Sequence, residues 1–466
     1  MKKQKLPKTQ NSLDSFLILN KDNLCMETET NSPQSLSIAS KKFKIEKIHN
    51  KITKNKPKRT GKTILFTTMY GVPYHKKIPN TSITVDYFTH IVTDSSYNYL
   101  SHFHTDHYNG LSSKYKGRIV CSVTTSNLIR SKFRVNTIPL EHNKWYKMID
   151  HYVYLIDAKH CPGAVCFIFY ANDLLYLHCG DFRCTTDWYC DINFSSNEFM
   201  HRIINDLIIK KDNLLKNKIL SDNYIINNKI INSNVTNVLN EININKINEP
   251  IELNISKPNT NICIPITKLK FNKIFLDNTF EGVKDFDSQH NIINKIIKDI
   301  NKRNNVLFPI EYKYMFVSYS VGKEKVFFSI AEKYDWSICI RNYKKIFLDN
   351  LCDYSLKLLE NEIKSILSKE SVRLKERLTD KDAEIYVISL SDVNLERISK
   401  ICNSKRVVVI FPTGWSRKNY VMKNDNITIE VMFYRYSEHS SDNELNKFKE
   451  TMHGEIINTV KHKQNY

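Results

Sequence analysis

The stretch "SHFHTDHYNGL", residues 101–111, constrains the fold of this chain more than any other part of the sequence. It places three of the chain's 15 histidines within six consecutive positions, together with Asp106. His102 and His104 are two positions apart, so in an extended segment both side chains point the same way. Asp106 and His107 then follow in a turn, from which they can face the same cavity. A metal site is expected here, because imidazole and carboxylate are the usual ligands of an open catalytic zinc site.

Two later segments supply further candidate ligands. Four ligands so close together in the chain cannot saturate one tetrahedral ion from a single side. His160 in "DAKHCPGA" and Asp181 in "HCGDFR" each follow a β-type run and lie near a glycine. A carboxylate such as Asp181 can bridge two cations about 3.5 to 4 Å apart, an arrangement suited to phosphodiester hydrolysis. The alternative is a surface histidine cluster with incidental acidic neighbours.

The net charge of the chain favours a polyanionic partner. Lys and Arg number 69 against 49 Asp and Glu, which gives a formal net charge of +20. An excess of this size is typical of proteins that bind nucleic acid. An AT-rich gene is the alternative explanation, because its Lys codons would supply much of the charge. No apolar run approaches the ~20 residues that span a bilayer, so no membrane association is expected.

The composition changes along the chain. Residues 1–61 are polar and basic, which predicts a disordered arm. Short β-rich runs follow through residue 184 and predict a sheet-rich domain. Residues 203–262 contain no Gly, no Cys and a single aromatic, Tyr224, and predict a low-complexity insertion on the surface. Beyond them strands alternate with amphipathic helices, which predicts an α/β domain.

Further short blocks follow in a fixed order: "YHKKIP" with "TVDYF", "FLDNTF", "SYSVGKEKVF", "PTGW" and "YSEHSS". With the ligand motifs they resemble the metallo-β-lactamase fold nucleases that carry a β-CASP cap, and within them the DNA cross-link repair group of Artemis, Apollo and Pso-like nucleases. The resemblance implies an α/β fold, an αββα metallo-β-lactamase sandwich with an inserted α/β β-CASP cap domain. The implied division is a basic N-terminal arm at 1–61, the metallo-β-lactamase domain at 62–184, an Asn-rich insertion at 185–262, a metallo-β-lactamase strand with an acidic motif at 263–282, the β-CASP domain at 283–412 and the metallo-β-lactamase return at 413–466.

The resemblance also implies how one or two zinc ions are held. The first zinc would bind four residues: His102, His104, His160 and Asp181. The second site would consist of Asp106, His107, Asp181 and His439. Asp86 would support the first loop. The implied catalytic residues are Asp106, which holds the attacking water, His439, which assists departure of the 3′-oxygen, and Asp277 of "FLDNTF", an orienting acid. In isolation "SEHSS" is equally typical of a polar turn.

A phosphate pocket is expected beside the metal site. Ser320, Gly322 and Lys323 lie near a predicted helix start, where free backbone N–H groups and a cation suit a phosphate. The resemblance implies that this neighbourhood, with "PTGW" and the serines after the last histidine, binds a terminal 5′-phosphate. The pocket residues would then be Ser320, Gly322, Lys323, Thr413, Ser440 and Ser441. The alternative is that Ser320 and Thr413 cap turns.

Three functions follow as hypotheses. The first is a zinc-dependent 5′-to-3′ DNA exonuclease of interstrand cross-link or double-strand break repair, implied to be a nuclear monomer. The second is an RNA-processing β-CASP nuclease, which normally has a further histidine where this chain has Val460. His462 lies two residues on, on the same face of a strand, and would favour this second function if it were the matching residue. The third is a DNA-binding scaffold with a decayed site, which the intact ligand set disfavours.

A short apolar segment interrupts the basic arm at "QNSLDSFL". It resembles the sliding-clamp binding box of replication and repair proteins, with Gln10, Leu13, Phe16 and Leu17 at the defining positions. One helical turn would bring Leu13, Phe16 and Leu17 onto one side as an apolar plug. Leu17 stands where the box has an aromatic residue. The alternative is a chance hydrophobic segment in a disordered tail.

Overall fold

The computed structural model of the chain describes seven stretches: residues 66–95, 97–195, 251–252, 261–283, 285–305, 311–340 and 342–460. All of them belong to one compact unit, Ile64–Tyr466. The predicted arm at 1–61, the clamp-binding residues Gln10, Leu13, Phe16 and Leu17, most of the Asn-rich insertion and His462 lie outside the described residues. Within the described stretches, the helices are too short or too polar to cross a lipid bilayer.

Four parallel strands form the first sheet, in the order β2, β4, β5, β6. The strands of this part of the chain are β1 (Phe66–Thr67), β2 (Ile83–Val85), β3 (Ile91–Val92), β4 (Tyr97–Tyr99), β5 (Ile119–Ser122) and β6 (Thr137–Leu140). Helix α1 (Val123–Phe133) connects β5 to β6, and its first turn is capped by the Ser122 hydroxyl, which accepts from the Thr125 N–H. The capped helix fixes the direction of the crossover from β5 to its parallel neighbour β6.

A seven-stranded sheet packs against the first one. Its strands are β7 (Trp145–Lys147), β8 (Tyr152–Asp157), β9 (Val165–Ala171), β10 (Leu174–His178), β12 (Ile251–Glu252), β14 (Lys270–Leu276) and β22 (His453–Asn458), in the order β12-β7-β8-β9-β10-β14-β22. Side chains alternate along β9: Phe167 and Phe169 share a buried cluster with Ile83 of the first sheet, whereas Ile168 joins the larger core on the other face. Both faces are therefore buried, as a sandwich requires.

A second seven-stranded sheet forms the cap. Its strands are β15 (Lys313–Val317), β16 (Ile338–Ile340), β17 (Leu378–Thr379), β18 (Ile385–Ile388), β19 (Arg406–Thr413), β20 (Tyr420–Lys423) and β21 (Thr428–Arg435), and all pair in parallel except β20. The helices after α1 are α2 (Gln289–Asn304), α3 (Glu324–Tyr334), α4 (Asn342–Asp349), α5 (Asp353–Leu367), α6 (Leu395–Ile401) and α7 (Asp442–Thr451). The predicted fold class, a sandwich with an inserted α/β cap, is confirmed.

The predicted limits of the insertion at 185–262 are wrong at both ends. Strands β11 (Asp191–Ser195) and β13 (Asn261–Pro265) pair antiparallel with each other. Trp188, Ile192 and Phe194 are buried in the main core. Their alternation with polar residues is a strand pattern that a boundary drawn from composition passes over.

The predicted end of the cap at residue 412 is also wrong. Strand β21 pairs in parallel with β19 over eight residues, from Arg406 opposite Thr428 to Thr413 opposite Arg435. Strand β20 then pairs with β21 at the edge of the same sheet. The cap sheet therefore continues to Arg435, and the chain returns to the sandwich through α7 and β22. The motif "PTGW" marks a turn inside the cap.

The buried start of the supposed insertion can be tested with Phe194→Ala. Phe194 is fully buried and its ring lies 5.7 Å from that of Trp145. Removing the ring is expected to lower the free energy of unfolding by about 3 to 5 kcal/mol, measured by urea denaturation. Val421→Ala, at a position that is 59% exposed, is the control and should change stability by less than about 0.5 kcal/mol. Equal effects would mean that residues 191–195 lie outside the core.

Candidate metal centre

The candidate ligands lie at the carboxyl ends of strands. His160 follows β8, Asp181 follows β10 and Asp277 follows β14. Strands β8 and β10 both run antiparallel to β9, and β14 runs parallel to β10, so the three carboxyl ends lie at the same edge of the sheet. The loop after β4 brings its histidines to this edge from the first sheet, and the segment between β21 and α7 brings His439. Topology alone therefore brings together side chains that are far apart in sequence.

Three groups of side chains at this edge have the composition and spacing of metal sites. Within each group the potential ligand atoms lie within 4.8 Å of one another. The groups are His102 with His104, His160 and Asp181; Asp106 with His107 and Asp181; and Asp181 with Asp277 and His439. All three share Asp181, so its carboxylate lies where the groups meet.

The inner nitrogens of four histidines surround the Asp181 carboxylate. Its Oδ1 lies 3.2 Å from Nε2 of His107. Its Oδ2 lies 3.6, 3.8 and 3.9 Å from the Nε2 atoms of three further histidines, respectively His102, His160 and His439. The carboxylate side chain is only 14% exposed, so water screens these interactions little.

Each histidine uses its outer nitrogen to donate a hydrogen bond. The four bonds to backbone or carboxylate acceptors are His104 Nε2 to the Val321 carbonyl at 3.2 Å, His160 Nδ1 to the Glu438 carbonyl at 2.9 Å, His107 Nδ1 to Asp86 at 2.7 Å and His439 Nδ1 to Asp277 at 2.7 Å. His102 Nδ1 lies 2.9 Å from the Ser101 hydroxyl oxygen. Donation from the outer nitrogen leaves the inner nitrogen of a neutral imidazole with a lone pair, the tautomer that binds metal.

The inner nitrogens approach one another too closely for neutral histidines alone. His102 Nε2 lies 2.8 Å from His104 Nδ1, and that atom lies 3.1 Å from His160 Nε2. Each of these nitrogens is an acceptor once the outer one donates, and two acceptors at such distances repel. A cation shared between them turns the repulsion into attraction, so the donor set fits a divalent metal ion.

Asp86 holds the first loop from beneath. It is buried, has a left-handed backbone with φ of 52°, and accepts from the Ser101 N–H at 2.8 Å and the Ser101 hydroxyl at 2.7 Å. With the bond from His107, this carboxylate orients the loop and one histidine together. Burial opposes its charge, but His107 and His178 outweigh it and keep the pKa of Asp86 below its ordinary value.

The histidines fall into two electrostatic classes. Burial and the neighbouring His439 lower the pKa of His160 to about 3, and burial also lowers the pKa values of His102 and His104. Burial acts the same way on His439, but Asp277 and Asp181 raise its pKa to about 9. The first group is therefore neutral at pH 7, whereas a cation at His439 competes with a proton.

Asp106 differs from the other candidate ligands in exposure. Its side chain is 78% exposed, and its Oδ2 lies 3.8 Å from Nε2 of His107. It therefore faces solvent at the mouth of the centre, where a substrate would approach. Asp277, by contrast, is 1% exposed and accepts from the Thr279 backbone, the Thr279 hydroxyl and the Phe182 N–H.

A loop of the cap, residues 318–323, closes over the first group. This cap loop follows β15, and its Val321 carbonyl is the acceptor for His104. The buried Lys344 supports the loop from below, donating to the Ser318 hydroxyl and the Gly322 carbonyl, each at 3.0 Å. Lys344 also forms a fully buried ion pair with Glu324. The cap thus positions one of the candidate ligands.

Carboxylates occupy the helix start that was predicted to bind phosphate. Helix α3 begins at Glu324 as expected, with Lys323 as its N-cap in a left-handed conformation. The Lys323 N–H donates to Glu438 at 2.7 Å and its ammonium lies 3.1 Å from the same carboxylate. The Gly322 N–H donates to Glu324. Both residues therefore bind carboxylates in this structure, and the phosphate contacts predicted for Gly322 and Lys323 stay predictions.

The predicted pocket hydroxyls are also partly engaged. Ser441 is the N-cap of α7 in a reciprocal capping box with Glu444. The Ser440 hydroxyl accepts from the Cys184 N–H and donates to the Phe182 carbonyl, so its proton is already engaged. The Thr413 hydroxyl accepts from the Trp415 N–H at 3.3 Å, as the turn-capping alternative expected. Ser320 is exposed on the cap loop.

Position 460 lies beside the centre. The Val460 N–H donates to the side-chain oxygen of Asn278, the residue after Asp277. The register of β22 against β14 places it two residues beyond Asn458, which pairs with Leu276. A histidine here would lie next to the third group, whereas valine offers no ligand atom.

Sequence reasoning missed two functional residues. Glu438 neutralises Lys323, and its carbonyl orients His160. Its only sequence signal is its position directly before His439. Lys344 supports the cap loop from a helix 20 residues further on, and no local pattern distinguishes it from the exposed Lys345 beside it.

The fold and this edge define a class of protein. Two packed sheets carry convergent histidines and carboxylates on the loops at one edge, and an α/β cap lies over them. This is the architecture of metallo-β-lactamase proteins, whose centre holds metal ions.

Comparisons with known proteins show which members of that class the chain is similar to. Residues 373–464 match the family described as DNA repair metallo-beta-lactamase. The chain is 24% identical to the DNA cross-link repair 1A protein of Mus musculus over 416 residues, which cover 83% of this chain and 31% of the relative. It is 37% identical to the DNA cross-link repair protein pso2/snm1 of Schizosaccharomyces pombe over 150 residues, 30% of this chain and 25% of the relative. It is 37% identical to the 5′ exonuclease Apollo of Gallus gallus over 111 residues, 23% of this chain and 24% of the relative.

Over these segments the chain is similar to the DNA repair metallo-β-lactamase family and to its Pso2/Snm1 and Apollo proteins. It spans less than a third of the length of each of these three relatives.

The ion pair beneath the cap loop gives a stability prediction. Lys344→Met leaves Glu324 buried without its partner and is expected to cost about 3 to 5 kcal/mol of unfolding free energy. The double variant with Glu324→Gln removes the unpaired charge and should recover at least half of that loss. Lys345→Met, at an exposed neighbour, is the control. Urea denaturation measures all three, and similar losses for Lys344→Met and Lys345→Met would contradict a role for this pair.

Proposed function

We propose that this protein is a metal-dependent 5′-to-3′ DNA exonuclease of interstrand cross-link and double-strand break repair. The observation that carries the proposal is the meeting of three candidate metal groups at Asp181, at the edge of the sandwich that the cap covers. Paired cations about 3.5 to 4 Å apart suit phosphodiester hydrolysis, and a shared carboxylate is how proteins hold such pairs.

DNA as the substrate has independent support. The relatives of this chain are named for DNA cross-link repair and for 5′ exonuclease activity. The net charge of +20 favours a polyanion. Val460 stands where an RNA-processing enzyme would have a further metal-binding histidine, and this favours DNA over RNA.

Zinc is the proposed metal, as one or two ions. The first would be held by His102, His104, His160 and Asp181, and the second by Asp106, His107, Asp181 and His439. When bound, zinc lowers the pKa of water from 15.7 towards ~7 and stabilises negative charge at phosphorus. The residues of the chain supply orientation: Asp106 holds the attacking water in line, and Asp277 fixes the ring of His439 beside the leaving oxygen.

The terminal 5′-phosphate is proposed to bind beside the cap loop. Ser320 is exposed there, and the Thr413 hydroxyl still has a proton to donate. Binding of the 5′ end at this point would place the first phosphodiester over the metal centre and set the 5′-to-3′ direction. A nuclear location, a monomeric state and clamp binding through Gln10, Leu13, Phe16 and Leu17 remain predictions.

Removal of the shared carboxylate tests the metal-dependent mechanism. Asp181→Ala is expected to reduce hydrolysis of a 5′-phosphorylated single-stranded oligodeoxynucleotide to below about 1% and to lower zinc content, because all three groups lose a member. His104→Ala should lose hydrolysis with a smaller loss of zinc. Asp425→Ala, an exposed aspartate far along the cap sheet, is the control. Activity of Asp181→Ala above a few per cent, with circular dichroism unchanged, would contradict the assignment.

A second experiment separates the roles of Lys323. Because its ammonium is paired with Glu438, Lys323→Ala is expected to raise KM by the same factor for 5′-phosphate and 5′-hydroxyl ends. Ser320→Ala should raise KM for 5′-phosphate ends alone, by about threefold to tenfold for one hydrogen bond. Kinetics on matched DNA and RNA strands with both kinds of end measure this. If Lys323→Ala raises KM for 5′-phosphate ends alone, Lys323 contacts the terminal phosphate as the sequence predicts.

A further inference from the structure

Two large aromatic side chains are exposed beside the candidate metal centre. Tyr319 is 45% exposed, and its ring centroid lies 6.2 Å from that of His104 at an interplanar angle of 61°. Trp415 is 37% exposed and its ring lies 5.0 Å from that of Phe280, which in turn lies 5.9 Å from His439. One ring therefore touches a ligand of the first group, and the other is one ring away from a ligand of the third.

The topology of the cap brings the two rings to the same sheet edge. Tyr319 follows β15 and Trp415 follows β19, and these strands are parallel neighbours with Phe316 opposite Ile410. The two loops therefore leave adjacent strands side by side at their carboxyl ends. Most aromatic residues of the cap strands, such as Tyr314, Phe316 and Phe411, are buried, so exposure of these two is a feature of the edge that faces the centre.

The surroundings of the rings suit nucleic acid. The loop that carries Trp415 continues with Arg417 and the exposed Lys418. Sites for single-stranded nucleic acid combine positive charge along the backbone path with aromatic side chains on which bases stack. A base in a duplex is already stacked on both faces, so only an unpaired base presents its face to such a ring.

We infer that Tyr319 and Trp415 stack on unpaired bases that flank the phosphodiester at the metal centre, so that these rings select single-stranded DNA. The inference rests on the proposed nuclease function and names the form of its substrate. Stacking requires a base but tolerates any of the four bases, so we expect cleavage to show little preference for sequence. A strand that lacks bases near its 5′ end loses these contacts while keeping every phosphate.

The test compares two 5′-phosphorylated oligothymidylates that differ only at the first two positions, which carry either thymine or an abasic tetrahydrofuran. Trp415→Ala and Tyr319→Ala are each expected to raise KM for the thymine strand about tenfold, since one stacked base contributes roughly that factor. Neither variant should change KM for the abasic strand. Trp415→Phe and Tyr319→Phe keep a ring and should restore most of the affinity. Tyr420→Ala removes an aromatic that is 36% exposed on the cap edge strand and is the matched control.

Fluorescence anisotropy with strands protected by phosphorothioate linkages gives the dissociation constants directly. If the wild type binds thymine and abasic strands equally, or if Tyr420→Ala weakens binding as much as Trp415→Ala, the stacking inference is overturned. If the wild type hydrolyses neither strand while anisotropy still distinguishes them, the proposed nuclease function fails and base stacking stands.

Discussion

The Asp181 carboxylate, held among four imidazoles, is the interaction on which the rest of the site depends. Burial of a charged group is costly unless it is paired, and here His107 and His439 keep the pKa of Asp181 well below its usual range. The carboxyl ends of β8, β10 and β14 bring His160, Asp181 and Asp277 together at one edge of the sandwich. The inner nitrogens then face one another with lone pairs, which repel. A positive charge between them would therefore stabilise the arrangement.

The outer hydrogen bonds show that the centre is not a property of the sandwich alone. His107 and His439 are oriented by carboxylates of the sandwich, Asp86 and Asp277. His104 and His160 donate to backbone carbonyls instead, those of Val321 in the cap loop and Glu438 in the segment that leaves the cap. Orienting partners of this kind raise the metal affinity of a ligand and fix its tautomer. The cap therefore contributes orienting partners to the candidate metal centre as well as covering it.

The sequence predicted which side chains meet at this edge, because their signals are local. Histidines two residues apart and acids beside strand ends are recognisable without a fold, and the sheet order explains why they meet. The partners of Lys323 were not predictable, because Glu438 is 115 residues away and only the packed cap brings it near. The predicted cap boundary is wrong for a similar reason. The turn motif at Thr413 is typical of a domain border, but the pairing of β19 with β21 continues the sheet.

Strands β11 and β13 have a consequence for the length of the chain that connects them. Ser195 and Asn261 are register partners, so the two ends of the chain between β11 and β13 lie side by side, and within it β12 pairs with β7. The cost of closing a flexible connection rises by only about 0.6 kcal/mol for each doubling of its length. A change in the length of this connection therefore costs little closure entropy while β11 and β13 hold its ends together.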